Sequence, residues 1–481
     1  MSPDRRTLLR AGLGLTAAFA SGTQMNTPAQ ANSNDRSRLK GELSHDEAVR
    51  AAAADDFGRI IRKEPRAVLK PAESEDIATV MSWAAERGLK VAARGQGHST
   101  YGRSLTDGIV VDMRGLNCIG EVEADSIVVE AGATWQSVLD ATLARGLTPP
   151  VLTNYLGLSV GGTIAIGGIG GTSSRYGMQA DHVLEMSVVT GDGRELTCSA
   201  TENPDLFDAV RAGLGQRGII TRASLRLARA PDGVRRYQLF YRDLASLTAD
   251  QRRMLTAGRF DQLQGAILPD GSGGWRYQLD GAIFYNRDAA PDESTALADL
   301  ADDRGKAVIT DLTYRDDALA FAKLENLLRS KGQWSIPQPW LFTFLRGSNA
   351  EQVAREIVGG LSNGDVGPFG RITYYPMLTD ALRAPLVRLP DESIVVPFNL
   401  VRIPSDTDAA SIARTVAANR AFYDRIRKAG GFLYPVSAFP MSSDDWREHF
   451  GPKWPLLRDA RQRYDPHNLL TPGYNLFHSQ A

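Results

Sequence analysis

The sequence predicts an α+β fold of two domains, and three observations carry that reading. At 481 residues the chain is too long for a single hydrophobic core. From Ala67 to Leu227 short β-branched runs alternate with segments of helical period, as in layered helices and sheets. At Ala230-Pro231-Asp232-Gly233 the texture changes to longer strand patterns with one glycine-rich turn, near Gly271. The expected boundaries are a first domain over residues 40–232, a covering domain with antiparallel sheet over 233–430, and a tail over 431–477 that returns to the first domain.

Residues 1–31 precede the fold. Arg5 and Arg6 lead through Thr7-Leu8-Leu9 into a weakly apolar run from Ala11 to Phe19, and Ala29-Gln30-Ala31 has the small-x-small form of a cleavage site. This segment resembles a twin-arginine export signal, which implies a periplasmic or secreted protein. No later segment reaches the ~20 apolar residues of a spanning helix, so stable membrane insertion is not expected.

Ala67-Val68-Leu69 reads as a strand. Glu75 to Arg87 reads as a helix with Ile77, Val80, Met81 and Ala84 on one face, opening near Ser74 and stopping at Gly88. Strands follow at Lys90–Ala93, Ile109–Met113 and Ile127–Ala131, then a helix from Trp135 to Arg145 that stops at Gly146. Val183–Thr190 and Glu195–Cys198 form a hairpin about Gly191-Asp192-Gly193. Asn203-Pro204 opens a helix ending near Gly213, and Ile219–Leu227 alternates as a strand. The second domain is expected to hold strands at Tyr237–Tyr241, Tyr277–Tyr285, Val308–Tyr314 and Ile394–Ile403, with helices at Ala350–Leu361 and Ala409–Lys428.

Composition narrows the function classes. With 43% hydrophobic and 23% charged residues and a formal charge of -1, there is no basic field for nucleic acid or an anionic membrane. Two cysteines, Cys118 and Cys198, rule out a disulfide scaffold, though one bond or two free thiols both remain open. Six scattered histidines and no Cys/His spacing give no expectation of a metal site. The 46 glycines are about 1.4 times the usual share, and they crowd into residues 95–102 and 157–177.

The first cluster is Arg94-Gly95-Gln96-Gly97-His98-Ser99, with Gly102 beyond, directly after a strand. Glycines before a histidine remove side chains and permit positive φ, so backbone N–H groups can crowd a phosphate or a flavin ring. Imidazole is a competent nucleophile toward the flavin 8α-carbon, which fits covalent attachment at His98. By itself the stretch fits equally a tight turn with a surface histidine. The second cluster runs from Asn154 to Gly177 and includes Ser159, Gly162, Thr163, Ala165, Gly168 and Ile169. It is too glycine-rich for a simple helix and too regularly apolar for a linker, and it can lay backbone and hydroxyls along a pyrophosphate. A third loop, Gly213 to Thr221, which holds Gly218 and Ile220, can complete the cradle.

These three stretches, with the ending Tyr464-Asp465-Pro466 and Leu469-Leu470-Thr471-Pro472-Gly473, resemble cytokinin dehydrogenases, within flavoproteins of the vanillyl-alcohol-oxidase fold. Trp334 to Leu341 and Val366-Gly367-Pro368 add weaker matches. The resemblance implies FAD carried on His98, with Ser99, Arg103, Ser159, Ala165, Ile169, Ile220 and Tyr474 at flavin-contacting positions. Arg103 and Tyr474 stand where the family usually has glutamines. A second, cysteine anchor known in related enzymes has no counterpart near Tyr155, which implies a single covalent bond. The family's proton-accepting aspartate falls at Asn154, and an amide cannot serve as a general base. Its second acid, a glutamate at the substrate entrance, falls at Asp280, which leaves Asp280 as candidate base or as a solvated strand residue.

The expected reaction is oxidation of a small organic substrate, an amine such as an N6-substituted adenine, by hydride transfer to the flavin. Substrate is expected between Asn154, Asp280 and aromatic residues such as Trp340 or Tyr375, with oxygen, a quinone or a redox protein as electron acceptor. An alcohol, sugar or phenolic oxidase is the alternative within the fold. A non-catalytic flavin-binding protein is the alternative outside the enzyme class.

Overall fold

The computed structural model describes residues 39–286 and 289–477, so the twin-arginine segment lies outside the described residues. Strands β1 (Glu42–Ser44), β2 (Ala67–Lys70), β3 (Val91–Arg94) and β4 (Ile109–Asp112) form a sheet of order β1-β2-β4-β3. β2, β4 and β3 run parallel. The crossover is the helix Ser74–Arg87, which buries Ile77, Val80, Met81 and Ala84 and ends at Gly88 with φ 61°. Buried Asp76 in its first turn accepts the N–H groups of Lys40, Gly41 and Ala72 at 2.8, 2.9 and 2.8 Å, tying the helix to the chain entering β1.

β5 (Ile119–Val122), β6 (Ser126–Glu130), β8 (Val183–Thr190), β9 (Glu195–Ser199) and β10 (Gly218–Arg226) make an antiparallel sheet of order β5-β6-β10-β8-β9. The two-residue strands β7 (Leu147–Thr148) and β11 (Ala228–Arg229) pair beside it. The hairpin turns at Gly191-Asp192-Gly193 as its sequence requires.

The third sheet is antiparallel and nine-stranded: β12 (Gly233–Tyr241), β13 (Gln262–Pro269), β14 (Trp275–Tyr285), β15 (Val308–Thr313), β16 (Leu341–Arg346), β17 (Arg371–Tyr374), β18 (Met377–Leu378), β19 (Ile394–Val401) and β20 (Phe432–Leu433). Its order is β15-β12-β14-β13-β17-β19-β16-β20, with β18 on β19. Four of these strands follow the sequence pattern; β13, β16, β17, β18 and β20 do not. They are short apolar runs or, in β13, a strand broken by Gly265, so alternation gives no period to read. The expected strand Val308–Tyr314 stops one residue early because Thr313 caps a helix from Tyr314 to Ala318, its hydroxyl accepting the Asp316 N–H at 3.1 Å. Helices at Leu244–Ala257, Phe321–Ser330, Ser443–Phe450 and Trp454–Tyr464 are further elements that the sequence reading missed.

The C-terminal segment runs against β3: Val91 N–H donates to Leu469 O at 2.9 Å and Thr471 N–H to Val91 O at 2.8 Å. β3 is thereby held on both edges, which fixes the loop that leaves it. Cys118 is exposed and Cys198 buried, and both are free thiols. Among the described residues no helix is long and apolar enough to cross a membrane.

Candidate active site

The loop after β3 is built around one buried carboxylate. Asp56 accepts the Ser99 hydroxyl at 2.9 Å and the Gly102 N–H at 2.6 Å, while Phe57 N–H donates to Gly97 O at 2.8 Å and Gly58 N–H to Ser99 O at 2.9 Å. Gly97 takes φ 66°, and a Cβ there would lie 2.4 Å from the Arg94 guanidinium that folds over it. Arg94 and Gly102 thus support the loop from behind. They are absent from the cavity wall, whereas Gly95, Gln96, Gly97, His98, Ser99 and Arg103 line it.

His98 stacks on Phe57 with ring centroids 3.9 Å apart and planes at 12°. Tyr155 stands 5.2 Å away, and Trp334 and Trp340 each 5.9 Å. Its Nε2 is buried with no hydrogen-bond partner. Burial among these rings pushes its pKa down to about 4, because the imidazolium would lose its hydration without gaining a counter-ion. The ring is therefore neutral and has a free electron pair at physiological pH.

The glycine-rich stretch packs onto this loop where a Cβ on Gly95 would meet Ser159 Oγ at 2.0 Å. Ser159, Gly162, Thr163, Ala165, Gly168 and Ile169 line the same cavity, as do Gly218, Ile220 and Tyr474. The Thr163 hydroxyl is already committed, accepting Trp135 Nε1–H at 2.8 Å and donating to Val160 O at 3.2 Å. Of the two hydroxyls expected to reach a phosphate, Ser159 is the one left without a partner among the described residues. Arg103 donates to Gly473 O at 3.2 Å and Phe439 O at 3.1 Å and lies 5.1 Å from the Tyr474 ring centroid. It is a buried cation without a carboxylate contact, and burial lowers its pKa.

The cavity's other wall is one face of the nine-stranded sheet. Gln264, Arg371, Thr373, Tyr375, Asn399 and Phe342 line it, and their strand partners share that face by register. Trp340 and Asn154 also line the cavity. Asp280 does not. It lies opposite Gln264 on β14, one strand farther out, where Gln278 and Gln238 donate to its Oδ1 at 2.8 and 3.4 Å. The pattern around Asp280 sets the face to which it points, whereas strand order decides that β13 stands between it and the cavity.

The cavity volume is about 440 Å³, within the range of small-molecule sites. Four residues that line it carry a buried polar atom without a partner: His98 Nε2, Arg103 Nε, Gln338 Oε1 and Trp340 Nε1. Native interiors leave few such atoms, so the site is built for a polar ligand lying on bare glycine backbone, a fit to FAD. A family model described as FAD binding domain matches residues 65–199, and one described as cytokinin dehydrogenase 1, FAD and cytokinin binding, matches residues 266–477. An uncharacterized oxidoreductase, ORF5 in the fasciation locus of Rhodococcoides fascians, is 38% identical over 439 residues, covering 91% of this chain and 99% of that protein. Cytokinin dehydrogenase 6 of Oryza sativa subsp. japonica is 35% identical over 491 residues, covering 92% of each. Cytokinin dehydrogenase 3 of Arabidopsis thaliana is 31% identical over 496 residues, covering 95% of this chain and 94% of that protein. The chain belongs to the cytokinin dehydrogenase family.

It is thus an FAD-dependent oxidoreductase of the two-domain vanillyl-alcohol-oxidase-type fold. In this cytokinin dehydrogenase family member several site residues carry no sequence signal: Asp56, Phe57, Arg371 and Thr373 lie in ordinary strand or loop sequence. Phe57 is legible only as an aromatic without a core period, whereas Tyr155 and Trp334 fall inside stretches that the family resemblance covers.

Asp56 gives a stability prediction. Burial lifts its pKa to about 6, above the unfolded value of about 4. Between those values the folded state holds a proton that the unfolded chain has lost, so stability falls as pH rises through that window. Asp56→Asn keeps an acceptor for Ser99 and Gly102 without the charge. Its melting temperature should gain on the unaltered protein between pH 4 and pH 7, by the equivalent of up to roughly 3 kcal/mol. A pH-independent difference in calorimetry would refute the role of that carboxylate.

Proposed function

We propose that this enzyme holds FAD covalently through His98 and oxidises a small organic amine of the N6-substituted adenine type. The carrying observation is the neutral His98 ring, pinned on Phe57 with an unpartnered nitrogen at a glycine-walled cavity. When bound, FAD supplies a hydride acceptor at its N5. The protein's part is to orient the substrate and take its proton. Trp334, Trp340 and Phe342 offer flat apolar surface to a planar substrate.

Among the described residues no Asp or Glu lines the cavity, and the Asn154 amide orients without accepting a proton. Tyr155, next in sequence, lines the cavity and donates to Glu325 Oε1 at 3.3 Å. Burial raises the pKa of this phenol, so it stays protonated and serves as a relay. A substrate N–H proton passes to the Tyr155 oxygen as the phenolic proton passes to Glu325.

Anaerobic titration of the flavin-loaded protein tests the reading. N6-isopentenyladenine should bleach the flavin absorption faster than aryl alcohols. Bleaching by the alcohols alone would move the substrate class to alcohols, and no bleaching by any reductant would leave a flavin-binding protein without catalysis.

A further inference from the structure

Among the described residues Arg371 is the one cation on the sheet wall of the cavity. It stands on β17 among Phe369, Val401 and Ile403, and all four residues line the cavity. It makes no hydrogen bond or ion pair with any described residue. Asp280 acts on it only through space and does not contact it, its Oδ1 being taken by Gln278 and Gln238. Holding an unpaired guanidinium half-buried at a cavity wall costs it hydration without a counter-charge, which favours a group that arrives with a negative charge.

Thr373 stands two residues along the same face, about 7 Å away by strand rise. The Thr343 N–H donates to Asn399 Oδ1 at 3.1 Å, which turns the Asn399 amide nitrogen toward Thr373 Oγ1 at 2.7 Å. The Thr373 hydroxyl therefore accepts from Asn399 and keeps its own proton to donate. A cation and a free O–H on one strand face make an oxyanion-binding pair. The glycine wall already has its own buried cation, Arg103, so Arg371 is not needed there.

We propose that Arg371 and Thr373 form an oxyanion subsite on the sheet wall, which takes a carboxylate or phosphate carried by the substrate at an end remote from the reacting carbon. The proposal rests on the reading above only in placing the substrate in this cavity. The neutral N6-alkyladenine then serves as a partial substrate, lacking the group that Arg371 recognises.

The test is ligand binding to the flavin-loaded full chain, read from the shift of the flavin absorption spectrum, which needs no turnover. Two matched pairs are titrated, benzoate against benzamide and N6-isopentenyladenosine 5′-monophosphate against N6-isopentenyladenosine. One charged member should bind about 10–100-fold tighter than its neutral partner, and the pair that does so separates carboxylate from phosphate. Arg371→Met should erase the preference and Arg371→Lys keep part of it. Arg371→Met should also melt no lower than the unaltered protein, since it removes a half-buried charge that has no contact partner among the described residues. Equal affinities within both pairs, or a preference that survives Arg371→Met, overturns the subsite. A markedly lower melting temperature would make Arg371 a structural cation and overturn it as well. If the adenines fail to bleach the flavin while the charge preference persists, the amine reading falls and the subsite stands.

Discussion

His98→Ala should yield a colourless acid precipitate with its flavin in the supernatant, where the unaltered protein yields a yellow pellet and a yellow peptide on digestion. The expected change is complete, because among the described residues no other histidine and no cysteine lines the cavity. Cys198 is buried in the core and burial pushes its thiol up to about 12; Cys118 is exposed. Neither lines the cavity. Tyr155, Tyr375, Tyr434 and Tyr474 do, but burial holds their phenols protonated. His98 itself is neutral down to about pH 4, so attachment should proceed alike from pH 5 to pH 8, with no loss as a solution is made mildly acid. A yellow pellet from the variant would place the bond elsewhere, and a colourless pellet from the unaltered protein would remove it.

Asn154→Asp should raise the rate of flavin reduction by N6-isopentenyladenine by tenfold or more, since general-base help is about 10²–10⁴-fold and the Tyr155 relay already supplies part of it. The gain should appear as pH rises through the pKa of the introduced carboxylate, because only the ionised form accepts a proton. The same change should make Tyr155 dispensable. On the native background Tyr155→Phe breaks the path to Glu325 and should slow reduction, whereas beside the new carboxylate it should cost little. Stopped-flow reduction across pH 5 to 9 for the two single variants and the double variant gives the coupling directly. A flat pH profile and additive effects would separate Asn154 from proton transfer.

The readable part of this protein is its local part. The helix Ser74–Arg87 announces itself by four apolar positions and a terminal glycine, and the loop after β3 by glycines that tolerate positive φ. The short strands β16 and β17 are not read from the sequence, since runs of six and four residues give little period. With them went Arg371 and Thr373, which look like ordinary strand residues until the sheet face is assembled. Asp280 is the clearest miss. Its parity was right, and strand order, which no local pattern encodes, moved it away from the cavity.

The sequence by itself determined that backbone is bared around His98 and along residues 157–177, because glycine spacing is a covalent fact that survives any packing. Only the tertiary structure decided what His98 is chemically. Phe57 stacks on it from another loop, Trp334 and Trp340 close in from the second half of the chain, and Asp56 ties the loop beneath it. Those contacts strip water from the ring and keep it neutral, and desolvation depends on which distant surfaces meet.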